Sequence, residues 1–409
     1  MSIHEAGGRI GAVLARLGLE PELTELGGGG DPTAYSCRLL AADGDMPPMA
    51  RGMGKGHPEE ARVGALFEAL EHYLTGPARY RPETVETVEP ARIAAGPLGE
   101  EAWSPLLAGL RGRLACHRYR PFGQGPGILV PLFLFAPWYV EHHAGRLREQ
   151  AADTCEYDAL MRYSCNSGSA IGVTAAEALL HALNEVIERD ALSLLLVRAF
   201  LCPGESRLRL IDPATLPAEA AVAFSAAERA TGTPVHLLDI SGDLGVPTML
   251  AYTPPTGSRP PRRGSGTSLS PGYAAWRALT ELLQAALGET LPGAHVRGPD
   301  LTGLAAYPEL HACGRFDLTE HLREAVTVPF AAGAGPPPEH PRAQVRRLVA
   351  LLTARGHPPY RRTVAALPGR VVAVHAVVPG LERFMLVTDG NLVLPGLRGR
   401  RWCRAARVR

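Results

Sequence analysis

The chain has almost no net charge: 42 Lys and Arg stand against 41 Asp and Glu in 409 residues. Without a bulk positive field nothing draws it to nucleic acid or to an anionic membrane, so any phosphate contact has to be local. Long apolar runs are missing as well. Stretches such as GILVPLFLFAPWYV are broken by Pro and stop short of the roughly 20 residues a spanning helix needs. The opening MSIHEAGGRI lacks the apolar core of a signal peptide. The seven cysteines form no Cys-x-x-Cys pair, and Cys155 and Cys165 are too widely spaced for a zinc knuckle. These absences predict a cytoplasmic protein whose partners include neither nucleic acid nor membrane. A strict internal repeat and a long low-complexity tract are also lacking.

What is present describes a globular chain, with 46% hydrophobic and 20% charged residues, able to bury a large core in two or three subdomains. Turn-rich breaks fall at GPARYRPETVETVEP, TPPTGSRPPRRGSG and AAGAGPPPEHP. Between them, amphipathic helices alternate with short β-like runs such as PVHLLDI, PTMLAY and RVVAVHAVV. An α/β or α+β fold follows.

Three helices carry the polar chemistry. The first runs from Glu59 to about Leu74, where Val63, Phe67, Leu70 and Leu74 make a core stripe and Gly64, Glu68, Glu71 and His72 share the neighbouring face. In the second, Thr174 followed by Glu177 is a capping-box signature, and His181, Glu185, Glu188 and Arg189 occupy the polar face. The third starts at Ser270-Pro271 and aligns Arg277, Glu281 and Gln284. A water-facing surface is the ordinary reading of one Glu-x-x-Glu pair. Two matched pairs weaken it, because carboxylates three apart repel on an exposed helix. A di-iron site would need Glu-x-x-His, but the residue three after Glu68 is Glu71. Oxygen-only ligands suit Mg2+, which often holds substrate phosphates. Just upstream, RGMGKGHPEEA presents Lys55 between glycines; it is not a P-loop, since Met49 and Gly56 occupy key positions.

The blocks GKGHPEEARVGALFEALEHY, NSGSAIGVTAAEALLHALNEVIERDAL, DISGDLGVPTMLAYT, GSGTSLSPGYAAWRALTELLQ and VVPGLERF, in this order, resemble the YcaO-domain family. The resemblance implies a YcaO-like fold with mixed sheets packed on helices and ATP bound at a subdomain junction. It divides the chain into an N-terminal extension (1–50), a YcaO catalytic domain (50–390) and a basic C-terminal tail (391–409). Carried over residue by residue, Glu68, Glu71, Glu185 and Glu188 would be Mg2+ ligands. Lys55, Arg189, Arg277, Glu281 and Gln284 would meet ATP or its shell, with Gly64 and His72 at nucleotide-contacting positions. Gly64 stands where many members have Ser, His72 where they have Arg, and Ser167 where Asn is frequent.

By the same resemblance, the activity is ATP-dependent activation of a backbone amide in a ribosomally made precursor peptide. A nucleophile adds to the amide, ATP phosphorylates the oxyanion and phosphate leaves, giving an azoline or a macrocyclic amidine. No protein nucleophile is needed, so Cys165 is assigned no catalytic role. The end, LPGLRGRRWCRAARVR, lacks the Pro-x-Pro-x-Pro tail common in azoline-forming members. The expectation is therefore a stand-alone member comparable to the bottromycin-type proteins, a homodimer or a partner of an accessory biosynthetic protein. Partner-dependent thioamide formation and a non-catalytic ATP-binding scaffold are the alternatives.

Overall fold

In the computed structural model the described residues are 2–202, 207–257, 259–292, 298–331 and 340–408. The main helices are α1 (Ile3–Arg16), α2 (Pro58–Thr75), α3 (Ala175–Leu196), α4 (Ala218–Thr231), α5 (Pro271–Gly288), α6 (Pro341–Ala354) and α7 (Leu397–Val408). Their starts follow the local chemistry. Thr174 Oγ1 accepts from the Glu177 amide at 3.2 Å, and Ser270 Oγ accepts from the Tyr273 amide at 3.4 Å with Pro271 opening α5. Both satisfy an amide that the helix leaves unpaired.

The strands are β1 (Glu20–Glu25), β2 (Thr33–Leu40), β3 (Arg51–Gly56), β4 (Glu86–Val88), β5 (Leu114–Pro121), β6 (Ile128–Pro131), β7 (Ser169–Gly172), β8 (Arg209–Ile211), β9 (His236–Asp239), β10 (Thr248–Thr253), β11 (Arg262–Thr267), β12 (Val326–Val328), β13 (Tyr360–Ala366) and β14 (Val372–Val377). They form three sheets. The first is antiparallel in the order β1-β2-β3; the second runs β4-β5-β13-β14-β7, with β6 on β5; the third runs β11-β10-β9-β8-β12, with β8 and β12 parallel. This is a mixed α/β architecture. The range 1–50 holds α1, β1 and β2, and β2 pairs with β3 across residue 50.

Each sheet buries its apolar face against a helix. Leu66, Leu70 and Leu74 of α2 pack with Cys37 and Leu39 of β2, and the buried stripe of α5, Leu279 and Leu282, packs with Leu237 and Phe224. Each fully buried leucine contributes about 2 kcal/mol of hydrophobic stabilisation. The C-terminal half of α3 enters the largest cluster with Trp103, Phe133, Tyr139 and Phe384. Part of the segment beyond 391 is tied down as well. Arg398 bridges Asp190 on α3, at 3.0 Å through both Nε and Nη2, and Asp243. Glu382 accepts from the Gly396 and Gly399 amides, each at 2.7 Å. Cys202 and Cys403 form a disulfide, a pairing that spacing in the sequence gave no reason to expect.

Candidate nucleotide and metal site

The site is built by strands that approach their helices too closely for a side chain. A Cβ on Gly54 would lie 1.8 Å from the Ala61 carbonyl oxygen, and one on Gly266 would lie 2.2 Å from that of Ala274. Glycine at these positions brings β3 flat onto α2 and β11 flat onto α5. The two units share a pattern: Arg-Gly-x-Gly at 51–54 and 263–266, then Pro58 and Pro271, then Glu68 and Glu281 at the same interval. A third unit, β7–α3, brings Gly172 against Ala178, where a Cβ would stand 2.9 Å from the amide nitrogen. Glu185 and Glu188 lie on that helix. The chain therefore contains a degenerate strand–helix repetition that falls short of a strict repeat, because only a few positions are shared between the units.

The three units turn their polar residues toward one another. Lys55 on β3 donates to Glu281 on α5. Ser265 on β11 donates to Glu188 on α3 at 2.8 Å and faces Glu281 at 3.4 Å. Glu68 accepts from the Met53 amide at 3.0 Å, and His72 sits 3.9 Å from Glu68 and 2.7 Å from the Arg51 carbonyl. Glu185 accepts from the Gly168 amide at 3.2 Å and lies 3.5 Å from Arg189. Gly168 needs its left-handed φ of +93°, and a Cβ there would meet the Ala376 carbonyl at 2.3 Å.

The charges are unevenly balanced. Burial works to raise the Glu281 carboxyl, yet Lys55, Arg189 and Arg277 outweigh it and hold it down at about 2. Burial lowers the Lys55 ammonium, with Glu281 opposing and Arg277 adding to the shift. Glu71 has no such cation: burial, then Glu185 and Glu68, push it well above the ordinary carboxylate value. Burial and Glu281 also raise Glu188, against the pull of Arg189 and Arg277.

Lys55, Glu68, Glu71, Glu185, Glu188, Arg189, Arg277 and Glu281 thus belong to one electrostatic network spanning α2, α3, α5 and β3. Gly64 packs over Gly54, where a Cβ would be 3.6 Å from its Cα, and Gln284 lies one turn beyond Glu281 on α5. Sequence reasoning missed Ser265, whose signal was its place inside the repeated Arg-Gly-x-Gly. It also missed Arg263, a half-buried guanidinium lowered by desolvation and facing Asp389 and Glu281.

Residues 53–382 match the family described as YcaO cyclodehydratase, ATP- and Mg2+-binding. The chain belongs to the YcaO family. That family is one of ATP-dependent cyclodehydratases, and its cofactors are ATP and Mg2+. A protein of Rhizobium leguminosarum bv. trifolii, described as an uncharacterized protein in the tfuA 3' region, is 31% identical over 57% of this chain and 54% of its own length. This YcaO chain thus spans little more than half of that relative. The solved YcaO from Methanopyrus kandleri, bound with AMPPCP and Mg2+, shares the fold with a TM-score of 0.67 and 20% identity, over 96% of this chain and 94% of that one. A heterocyclase in complex with substrate and cofactor matches with a TM-score of 0.63 and 17% identity, over 94% and 53%.

Among the described residues, no three His, Cys, Asp or Glu side chains gather closely enough to hold one metal ion. No described helix is long and apolar enough to cross a membrane. The donors present nevertheless fit Mg2+ arriving with a polyphosphate. They are carboxylate oxygens spread over facing helices, and Glu71 is left against Glu68 and Glu185 without a cation. Mg2+ is commonly bound through one or two carboxylates plus substrate phosphates, not by an all-protein cage.

Proposed function

We propose that this protein uses ATP and Mg2+ to activate a backbone amide of a ribosomally synthesised precursor peptide and closes an azoline or a macrocyclic amidine with loss of water. The observation that carries this reading is the YcaO match over 53–382, around a network in which three strand–helix units converge carboxylates and cations. Glu68, Glu71, Glu185 and Glu188 would hold the ions, and Lys55, Arg189 and Arg277 would meet the phosphates. When bound, magnesium-ATP supplies the phosphoryl group that turns the amide oxygen into a leaving group. The chain's own work is positioning and charge neutralisation, which is what phosphoryl transfer asks of a protein. Glu281 orients the Lys55 ammonium, and Ser265 fixes the Glu188 carboxylate. Phosphoryl transfer itself calls for no protein nucleophile.

A second reading is thioamide formation with a partner protein; the Rhizobium relative's description places it 3' of another gene, tfuA, which supports a gene-adjacent partner. Incubating the full chain with magnesium-ATP and peptides encoded near its gene, followed by mass spectrometry, separates the two. A peptide lighter by one water, with no second protein added, supports cyclodehydration. Exchange of oxygen for sulfur only with a sulfide source and a partner supports the thioamide reading. Nucleotide binding with no peptide change under either condition leaves a scaffold.

A further inference from the structure

One peptide unit joins the carboxylates of α3 to the buried core. Asn166, Ser167, Gly168 and Ser169 form a turn closed by the Ser169 amide on the Asn166 carbonyl at 3.2 Å, with Gly168 at its third position in a left-handed φ of +93°. That is the pattern of a type II turn, which differs from type I by inversion of the central peptide. Here the central peptide links Ser167 to Gly168. Its N–H donates to Glu185 Oε2 at 3.2 Å, and its carbonyl accepts from His375 Nε2 at 3.0 Å. A trans peptide is planar with its two polar ends pointing opposite ways. Whatever holds the carbonyl therefore aims the amide.

Glycine takes either sign of φ, so the local backbone leaves both orientations of this peptide open. Inverted, the Ser167 carbonyl would face the Glu185 carboxylate and the amide would be lost from it. His375, on β14, removes the choice. Its ring is 2% exposed and lies 4.7 Å, centroid to centroid, from Phe135. Burial and then Arg383, against the Ser167 carbonyl, hold it down to about 3, so at pH 7 it is neutral with a single N–H. A carbonyl only accepts, which puts that hydrogen on Nε2; Nδ1, 2.9 Å from the Tyr119 hydroxyl, then accepts from it. Tyr119, fully buried on β5, thus fixes the tautomer, and the tautomer fixes the peptide.

We propose that His375 is a positioning residue of the nucleotide and metal site, selecting the turn orientation in which the Gly168 amide holds Glu185 for the cation. The inference rests on Glu185 as a Mg2+ ligand in the function proposed above, and it adds His375 and Tyr119, which act through that carboxylate. Ligating carboxylates are themselves held by hydrogen bonds, and loss of such a partner weakens the metal site. Released from the amide, the Glu185 carboxylate would be left to Arg189, which already faces its Oε1 at 3.5 Å. It would then pair within its own helix instead of turning to Glu71, whose carboxyl it raises.

The test titrates Mg2+ into the full chain at fixed ATP and reads nucleotide binding, with urea melts to show that each variant is folded. His375→Leu leaves the Ser167 carbonyl without this donor and should raise the half-saturating Mg2+ concentration about 10-fold. His375→Gln returns an N–H close to the place of Nε2 and should stay within about threefold of wild type. Added to Glu185→Gln, His375→Leu should cause no shift beyond that of Glu185→Gln alone, a result that loss of packing would not give. Where the leucine variant does not fold, Tyr119→Phe, which keeps the ring and removes the hydroxyl, takes its place with an expected shift of about threefold. A wild-type Mg2+ requirement in folded His375→Leu, or in Tyr119→Phe standing in for it, would overturn the positioning role and leave the metal site intact. A shift in His375→Gln as large as in His375→Leu would overturn it by assigning the effect to ring packing, and additive shifts in the double variant by routing it past Glu185. A wild-type Mg2+ requirement in Glu185→Gln would overturn the metal assignment itself, and this inference with it.

Discussion

Two ends of one charge network treat the same side chain in opposite ways. At the β3–α5 end, Lys55 with Arg189 and Arg277 keeps Glu281 ionised down to about 2 despite burial. At the α2–α3 end, burial and the repulsion of Glu185 and Glu68 leave Glu71 inclined to hold its proton. The first end is complete without a ligand, because charge meets charge inside the protein. The second lacks a cation of its own, which is why a metal ion is proposed there. Under the proposed function, a polyphosphate carrying Mg2+ would answer both, its metal satisfying the carboxylates while its phosphates draw on the lysine and arginines.

Neutralising the uncompensated end should have the largest effect. Glu71→Gln is nearly isosteric but removes a charge that a hard cation needs, so magnesium-ATP affinity should fall about 100-fold, or roughly 2.7 kcal/mol. Titration calorimetry that finds wild-type affinity would remove Glu71 from the metal site. Next in size, Glu281→Gln should destabilise the nucleotide-free protein by about 2 kcal/mol, because Lys55, with 13% of its side chain exposed, loses its partner. The figure lies below that of a fully buried pair since Glu281 keeps 31% exposure. Its folded value is depressed from 4.5 to about 2, so this stability is present above about pH 4.5 and lost as pH falls toward 2. Urea melts should show that acid limb in the wild type, diminished in the variant.

The smallest effect has the opposite sign. In EDTA and without nucleotide, Glu71→Gln should stabilise the fold by about 1 kcal/mol at pH 7. A carboxyl raised above its unfolded value contributes stability below that value and loses it as pH rises through the folded one. The gain should therefore shrink as pH falls from the raised folded-state value toward about 4.5 and be gone below it. Equal denaturation midpoints at pH 7 would show that Glu71 carries no repulsion.

The helices were legible before any coordinates because their information is local. Thr174 and Ser270 announced α3 and α5, and the Val63, Phe67, Leu70 and Leu74 stripe announced α2, whose observed span Pro58–Thr75 exceeds the expected one by a residue at each end. The carboxylate pairs were legible for the same reason, since a 3.6-residue period puts Glu68 with Glu71 and Glu185 with Glu188 on one face. The shared Gly-x-Gly approach of β3 and β11 was not. Glycine in a sequence is as often a turn as a packing contact, and only the facing helix backbone distinguishes them.

The sequence by itself determined the family and the mixed α/β class, and it put forward the carboxylates and cations proposed for Mg2+ and phosphate, because motif blocks, periodicity, capping and charge type are properties of short segments. Tertiary structure alone decided which charges meet. Lys55 and Glu281 are separated by 226 positions, and no local rule pairs them. The same holds for the Arg398 bridge to Asp190 and Asp243. Such pairings depend on how three sheets stack, and so on the summed burial of the whole chain and not on any stretch that could be read in isolation.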